Sequence, residues 1–312
     1  MNRPLKIPVL LLIFNRIDTT KQVLDSIRRV KPQKLYVAAD GPRDGVAGEK
    51  EMVNAVRNYV MQNIDWDCEI VTLFRRKNLG GKYAPIDAIT WFFEHERMGI
   101  ILEDDCVATT EFFRFCEWGL EKYENEQKIG MITGSNLVDY AYNARYRNGF
   151  SIYFNPWGWA SWSDRWQNYD ACLSFGDITE LDIKLKGEGL LTVWERLFWK
   201  NVFKHTVGFS TTWDFYLQFL FFRRGLFSVY PTKNLIMNIG FGSNATRTKS
   251  PPPYYWRKSL PPNDVDVMSL PVCEEIIANA DRDGLYAKTI WNCTPLTAIR
   301  LTFTNLFRYM RV

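Results

Sequence analysis

Much of what would point to a common enzyme class is missing from this chain. The six cysteines, at positions 68, 106, 116, 172, 273 and 293, are scattered and form no CxxC pair. They read as reduced, mostly buried thiols of a cytosolic chain rather than as a disulfide framework. No stretch approaches the roughly 20 consecutive apolar residues of a membrane-spanning helix. The one apolar run near the start, Ile7–Phe14, is followed by Asn15-Arg16 and by no small-residue cleavage site. A buried strand explains it better than a signal core, which places the expected chain in the cytosol. Neither a Walker P-loop nor a GxGxxG follows that run, which counts against an NTPase or a dinucleotide oxidoreductase. Charge of one sign is also scarce: 39 basic and 35 acidic residues leave a net +4, too little to make nucleic acid the main partner. The two histidines, His95 and His205, sit in no partner motif and read as structural.

What is present is apolar and aromatic. With 46% hydrophobic and 15% aromatic residues over 312 positions, the chain can bury a sizeable core. Its first 135 residues alternate strand-like and helix-like segments. The run Ile7–Phe14 has the unbroken apolar pattern of a strand buried on both faces. Asp18-Thr19-Thr20 offers a helix cap, after which Val23, Leu24, Ile27 and Val30 recur at helical spacing. Strands follow at Lys34–Ala39, Cys68–Phe74, Gly99–Leu102 and Ile129–Thr133. Between them Glu49–Gln62 and the Ile86, Ile89, Phe93 series predict helices, and Thr109 or Thr110 caps another. This order implies βαβ units, a mostly parallel Rossmann-like central sheet and an α/β fold. Beyond about residue 135 tryptophans crowd in, helices are predicted near 178–186, 190–205 and 212–224, and a Gly-, Asn- and Pro-rich loop covers 238–263. We expect one continuous domain over 1–290, with a nucleotide half (1–135), an aromatic-rich acceptor half (136–290) and a basic amphipathic tail (291–312).

Ligands of open α/β sheets bind beyond the carboxyl ends of the strands. Four polar signals fall at such ends: Asn15-Arg16, Asp40, Arg75–Gly81 and Glu103-Asp104-Asp105. Three adjacent carboxylates repel one another unless a cation or hydrogen-bond donors compensate. Their oxygens suit a hard ion such as Mg²⁺ or Mn²⁺ shared with substrate phosphates; a solvated acidic turn is the plainer alternative. Asp40 can accept from a base or from ribose hydroxyls, or simply form the turn before Gly41-Pro42. Arg16 can neutralise a phosphate or be an ordinary exposed arginine. Gly80-Gly81 permits close backbone approach. The indoles of Trp157-Gly158-Trp159-Ala160-Ser161-Trp162 can stack on sugar rings or form core. Asp214, after Trp213, can be a general base or can compensate a helix dipole.

The series Asn15-Arg16, Ala39-Asp40-Gly41, Glu103-Asp104-Asp105, Pro156-Trp157-Gly158-Trp159 and Trp213-Asp214 resembles the GT-A fold glycosyltransferases, with Glu111-Phe112-Phe113 fitting the helix start after the acidic triplet. Within them it looks closest to the N-acetylglucosaminyltransferase I type, in a compact form like bacterial polysaccharide or lipopolysaccharide enzymes. The resemblance covers roughly residues 7–250. It implies a nucleotide-sugar donor, a UDP-sugar in that family's habit, and a saccharide or lipid-linked saccharide acceptor. It further implies Arg16 on the nucleotide phosphate, Asp40 on uracil, Asp104 on ribose or donor sugar, and Asp105 as ligand of Mn²⁺ or Mg²⁺. Asn15, Asn78, Gly81, Lys82, Glu103 and Trp213 would complete the donor pocket, Trp157 and Trp159 would face the acceptor, and Asp214 would be the base of an inverting transfer. No histidine lies in the Asn78–Tyr83 region, where the animal enzymes place a uracil contact. Two other classes compete. A sugar-1-phosphate nucleotidyltransferase wants a Gly-rich basic loop after the first strand. A non-catalytic carbohydrate-binding protein needs the tryptophans but neither Asp105 nor Asp214. In the tail, Leu296, Ile299, Phe303, Phe307 and Met310 share one helical face beside Arg300, Arg308 and Arg311. That pattern suits a helix lying peripherally on the anionic inner face of the cytoplasmic membrane, or one packed on its own domain.

Overall fold

The computed structural model describes residues 3–141, 145–209, 212–241 and 266–309; the side chains of 208–209 and 306–309 lie outside the description. Ten strands and ten α-helices are found among these residues. The first strand, β1 (Val9–Ile13), shows how the sequence pattern becomes a layer. Val9, Leu11 and Ile13 enter one core cluster while Leu10 enters the other, as the two-residue period of a strand buried on both faces requires. Helix α1 (Ile17–Arg28) starts ahead of the expected Asp18-Thr19-Thr20 cap. Arg16 occupies the cap position, and its carbonyl accepts from the Thr20 hydroxyl (2.6 Å) and amide (3.2 Å). Asp18 thus falls in the first turn, where its charge opposes the positive helix end.

Strand β2 (Lys34–Ala39), helix α2 (Glu49–Gln62), strand β3 (Glu69–Phe74), helix α3 (Gly80–His95) and strand β4 (Met98–Glu103) complete the parallel half. Register aligns their ends: Ile13 lies opposite Ala39, Ala39 opposite Phe74, and Leu12 opposite Glu103. The residues that follow these strands therefore emerge along one edge of the sheet.

Past β4 come strand β5 (Cys106–Ala108), helix α4 (Thr110–Lys122), strand β6 (Ile129–Thr133), strand β7 (Asn148–Ser151), strand β8 (Trp159–Trp162), short helix α5 (Ser163–Trp166), helices α6 (Phe175–Glu188), α7 (Val193–Phe209) and α8 (Asp214–Arg224), then strands β9 (Phe227–Pro231) and β10 (Ile236–Asn238) and helices α9 (Ala280–Ile290) and α10 (Pro295–Tyr309). Thr109, not Thr110, caps α4, accepting from the Phe112 amide at 3.2 Å. Eight strands form one sheet in the order β3-β2-β1-β4-β8-β6-β9-β7, in which only β8 and β7 run against the rest. The expected fold class, an α/β Rossmann-like sheet flanked by helices, is what the chain adopts. The aromatic half is not a separate layer, because β8 inserts between β4 and β6 and makes both halves share one sheet.

Helices α1, α2 and α4 pack on one face and α3, α5 and α8 on the other. A third cluster, built from α6, α7, α8, α9 and Tyr153, centres on the fully buried Trp199. The remaining two strands, β5 and β10, form an antiparallel ribbon outside the main sheet, with Cys106 opposite Asn238. No helix among the described residues is long and apolar enough to cross a membrane.

Candidate functional site

At the carboxyl edge of the parallel strands lies a cleft of about 370 Å³. Its floor comes from the ends of β1, β2, β3 and β4, its sides from the start of α3, from Trp157 and Trp213, and from the segment Asn238–Phe241.

Arg16 leaves the end of β1 and meets the acidic triplet at the end of β4. Its guanidinium donates to Asp104 Oδ1 and, at 2.8 Å, to Asp105 Oδ2. Burial works to lower the Arg16 pKa, but the two carboxylates outweigh it and hold the guanidinium firmly charged. Burial drives Asp104 in the opposite sense, above the usual carboxylate range, with Arg16 pulling it back and Asp105 pushing it further up. Asp104 Oδ2 is buried and has no hydrogen-bond partner.

The ribbon of β5 and β10 carries a distant segment to the same carboxylates. The Ile239 amide donates to the Asp105 carbonyl at 2.8 Å, and Asn238 Nδ2 reaches Asp105 Oδ1 at 3.4 Å. Gly240 follows with no room for a side chain: a Cβ there would stand 2.1 Å from Asp105 Oδ2 and 3.0 Å from Arg16 Nη1.

Asp40 organises the opposite wall. Its carboxylate accepts from the Gly41 amide (2.8 Å), Asn78 Nδ2 (2.9 Å), the Leu79 amide (2.9 Å) and the Gly80 amide (3.0 Å). It thereby ties the end of β2 to the first turn of α3, placing a negative charge at a positive helix end. Behind it Arg57 donates to the carbonyls of Asp40 (2.9 Å) and Arg75 (2.7 Å), joining the ends of β2 and β3. Asn15 is drawn sideways: its Nδ2 donates to Glu49 Oε1 at 3.0 Å. Arg43 also binds Glu49 and holds that carboxyl below its ordinary pKa. Arg43 and Arg75 both line the cleft, and Arg75 is paired with Asp87.

Of the residues the sequence singled out, Arg16, Asp40, Asn78, Gly81, Glu103, Asp104, Asp105, Trp157 and Trp213 line this one cleft. Trp213 is held by stacking on Trp159 (5.9 Å between ring centres) and by Tyr169, whose hydroxyl donates to the Trp213 carbonyl at 2.8 Å. Four others do not line it. Trp159 is 2% exposed, its ring packed against Trp166 and Trp213 on the inner side of β8. The expectation of a sugar platform at Trp159 is corrected accordingly: an inward strand position next to two more indoles makes it core. Lys82 turns away to Tyr216, its Nζ donating to the phenol at 2.7 Å and lying 4.3 Å from the ring centre. Asn15 serves Glu49. Asp214 is half-buried one residue beyond the cleft wall, with its Oδ1 accepting from the Phe215 amide at 3.1 Å.

Sequence reasoning passed over Arg43, Asn238, Gly240 and Phe241. Arg43 follows a turn and looks like any exposed arginine. The other three lie more than a hundred residues from the acidic triplet, and only the pairing of β10 with β5 brings them to it. Most of the expected 238–263 loop, from residue 242 on, lies outside the described residues.

No protein-family model matches the chain, and no curated protein matches it. Among solved structures it is similar to HddC from Yersinia pseudotuberculosis, at 8% identity and a TM-score of 0.31 over 51% of this chain and 77% of that one. It is similar to the glycosyltransferase GlyE of Streptococcus pneumoniae TIGR4, at 13% identity and a TM-score of 0.31 over 52% of this chain and 35% of GlyE. A third likeness, to the inositol-1-phosphate CTP transferase from T. maritima, has 11% identity and a TM-score of 0.37 over 76% and 90% of the two chains. Likenesses this slight carry no argument about the reaction, which rests on the geometry of the cleft.

Proposed function

We propose that the protein is a glycosyltransferase of the GT-A type that takes its sugar from a nucleoside diphosphate sugar with the help of a divalent cation. The observation that carries this reading is one cleft at the carboxyl edge of a parallel sheet, lined both by three arginines (16, 43 and 75) and by the Glu103-Asp104-Asp105 carboxylates. A diphosphate brings negative charge that needs the arginines, and a bridging cation needs the carboxylates.

The donor set fits such a cation. It offers carboxylate oxygens alone, the ligands of a hard ion, and one of them, Asp104 Oδ2, is buried without a partner. Among the described residues no three His, Cys, Asp or Glu side chains gather as a closed protein cage. An ion held by one or two of the triplet's carboxylates would therefore need substrate phosphates to complete its shell. Asp105, with Asp104 beside it, would hold Mn²⁺ or Mg²⁺. The ion would supply Lewis-acid stabilisation of the departing diphosphate.

The chain's own groups do the rest. Arg16 stands where a phosphate oxygen can take over one of its hydrogen bonds, so it can stabilise charge that develops on the leaving group. Asp40 keeps the first turn of α3 in place, its carboxylate taken up by the Gly41, Asn78, Leu79 and Gly80 donors, and would read a base N–H by giving up one of these bonds. Trp157 and Trp213 offer apolar faces to a sugar ring and exclude water from it. Asp214 is the carboxylate assigned as base to the acceptor hydroxyl in an inverting transfer. The acceptor is a saccharide or lipid-linked saccharide.

Isothermal titration with a panel of nucleotide sugars, in Mn²⁺ and in EDTA, tests the reading. The expected result is binding of at least one nucleotide sugar, weakened by EDTA. Binding of free saccharides with no nucleotide-sugar binding would make the protein a carbohydrate-binding module. Release of pyrophosphate from a nucleoside triphosphate and a sugar 1-phosphate would make it a nucleotidyltransferase.

A further inference from the structure

Helix α10 rests on its own domain with its less apolar side. At about 100° per residue its positions fall on two opposite faces. One holds Ala298, Leu301 and Asn305, with Thr302 at its exposed edge; Ala298 is fully buried, Leu301 packs on the third cluster and Asn305 is 5% exposed. This face lies against α7 through amide hydrogen bonds. Asn201 Nδ2 donates to Thr302 Oγ1 at 2.9 Å, and Asn305 Nδ2 donates to the Asn201 carbonyl at 2.9 Å and to its Oδ1 at 3.2 Å. The other face holds Leu296, Ile299 and Phe303, exposed to 78%, 40% and 55%.

A helix held to its domain by the hydrophobic effect alone would turn the other way and bury those three side chains. The asparagine contacts, with Ala298 and Leu301 packed on the third cluster, hold this arrangement, and none of the described residues covers the apolar face. Charge identifies what covers it. Residues 295–312 contain no Asp or Glu and carry Arg300, Arg308 and Arg311. Arg300 is exposed on the flank of the apolar face. Two such faces brought together in a dimer would set like charges side by side. An anionic bilayer accepts both features at once, the apolar side chains among the acyl chains and the guanidinium groups among the headgroup phosphates.

We infer that α10 docks the protein on an anionic lipid surface, lying in the interface through Leu296, Ile299 and Phe303. The inference stands apart from the reaction proposed above. It requires that the surface be touched, not crossed.

Co-sedimentation of the full chain with vesicles tests it. The wild type is expected to pellet with vesicles of equal parts phosphatidylglycerol and phosphatidylcholine, to stay in solution with phosphatidylcholine alone, and to be released by salt. The double variant Ile299→Ser/Phe303→Ser and the single variant Arg300→Glu are each expected to weaken pelleting by about tenfold. All three positions are exposed, so thermal melting should match wild type and report that the variants are folded. A wild type that stays in solution with the anionic vesicles overturns the inference. So does a double variant that pellets as the wild type does. A dimer seen by analytical ultracentrifugation and lost in Phe303→Ser, without vesicle binding, assigns the face to a second copy instead.

Discussion

Asp105 is a residue on which several constraints converge. Its carboxylate answers Arg16, its carbonyl receives Ile239, and Gly240 is small because Asp105 leaves it no room. If it holds the cation, Asp105→Ala should bind nucleotide sugar equally in Mn²⁺ and in EDTA, while wild type binds better in Mn²⁺; calorimetric titration decides. A preserved Mn²⁺ enhancement in the variant would move the ligand to Asp104 or Glu103. Asp214 poses a sharper question, since it sits at the start of a helix and accepts from the next amide. As a base it should make Asp214→Asn lose about 10²–10⁴-fold in transfer rate with donor affinity unchanged. As a helix-end charge alone, the same change should lower the melting temperature and spare turnover.

Glu49 gives a pH signature of its own. Hydrogen bonding to Arg43 holds its folded pKa below the ordinary value. The folded state thus binds its proton less readily than the unfolded chain. The stabilisation is fully present above the unfolded pKa, near 4.3, and is lost as pH falls through the folded value below it. Arg43 is half exposed, which weakens the pair. Glu49→Gln should therefore cost about 1–2 kcal/mol at pH 7 in urea unfolding, with the gap to wild type closing below about pH 4.

At the scale of elements, the cleft depends on how α3 and the β5–β10 ribbon are attached. Asp40 receives the Leu79 and Gly80 amides and so sets where α3 begins. Asp40→Ala should speed hydrogen exchange at Leu79–Gly81 and weaken nucleotide and free nucleoside alike, each by about tenfold. Faster exchange with unchanged uridine affinity would leave Asp40 as a helix anchor only. Much of this level was legible in the sequence. Unbroken apolar runs marked β1, β2 and β4, and polar residues directly after them marked the site edge. The strands of the second half escaped notice for a physical reason. Strand β8 is the stretch Trp159–Trp162, buried at every position. With tryptophans at both ends and no polar–apolar alternation, it carries no strand period.

Among the described residues one eight-stranded sheet is shared by both halves, with the β5–β10 ribbon beside it and a third aromatic cluster on its flank. Trp199 stacks with Tyr153 and Phe203 and meets Trp291 edge-on, linking α7 to the residues before α10. Trp199→Ala should cost about 3–5 kcal/mol. Because β8 lies between β4 and β6, calorimetry should show one unfolding transition in both wild type and variant, not one for each half.

By itself the sequence determined the α/β class, five of the six strands of the notional nucleotide half (β1–β4 and β6, but not the short β5), and the polar residues at the carboxyl ends of β1–β4. These are local properties, set by burial period and turn chemistry within a few residues of each position. Only the tertiary structure decided that Arg16 is shared between Asp104 and Asp105, that Trp159 is core, that Lys82 serves Tyr216, and that Asn238 and Gly240 reach the acidic triplet. It also decided that α10 turns its apolar face outward. Each of these depends on which strand pairs with which, or on which side of a helix finds a partner, and such choices are made between segments far apart in the chain, where no local pattern records them.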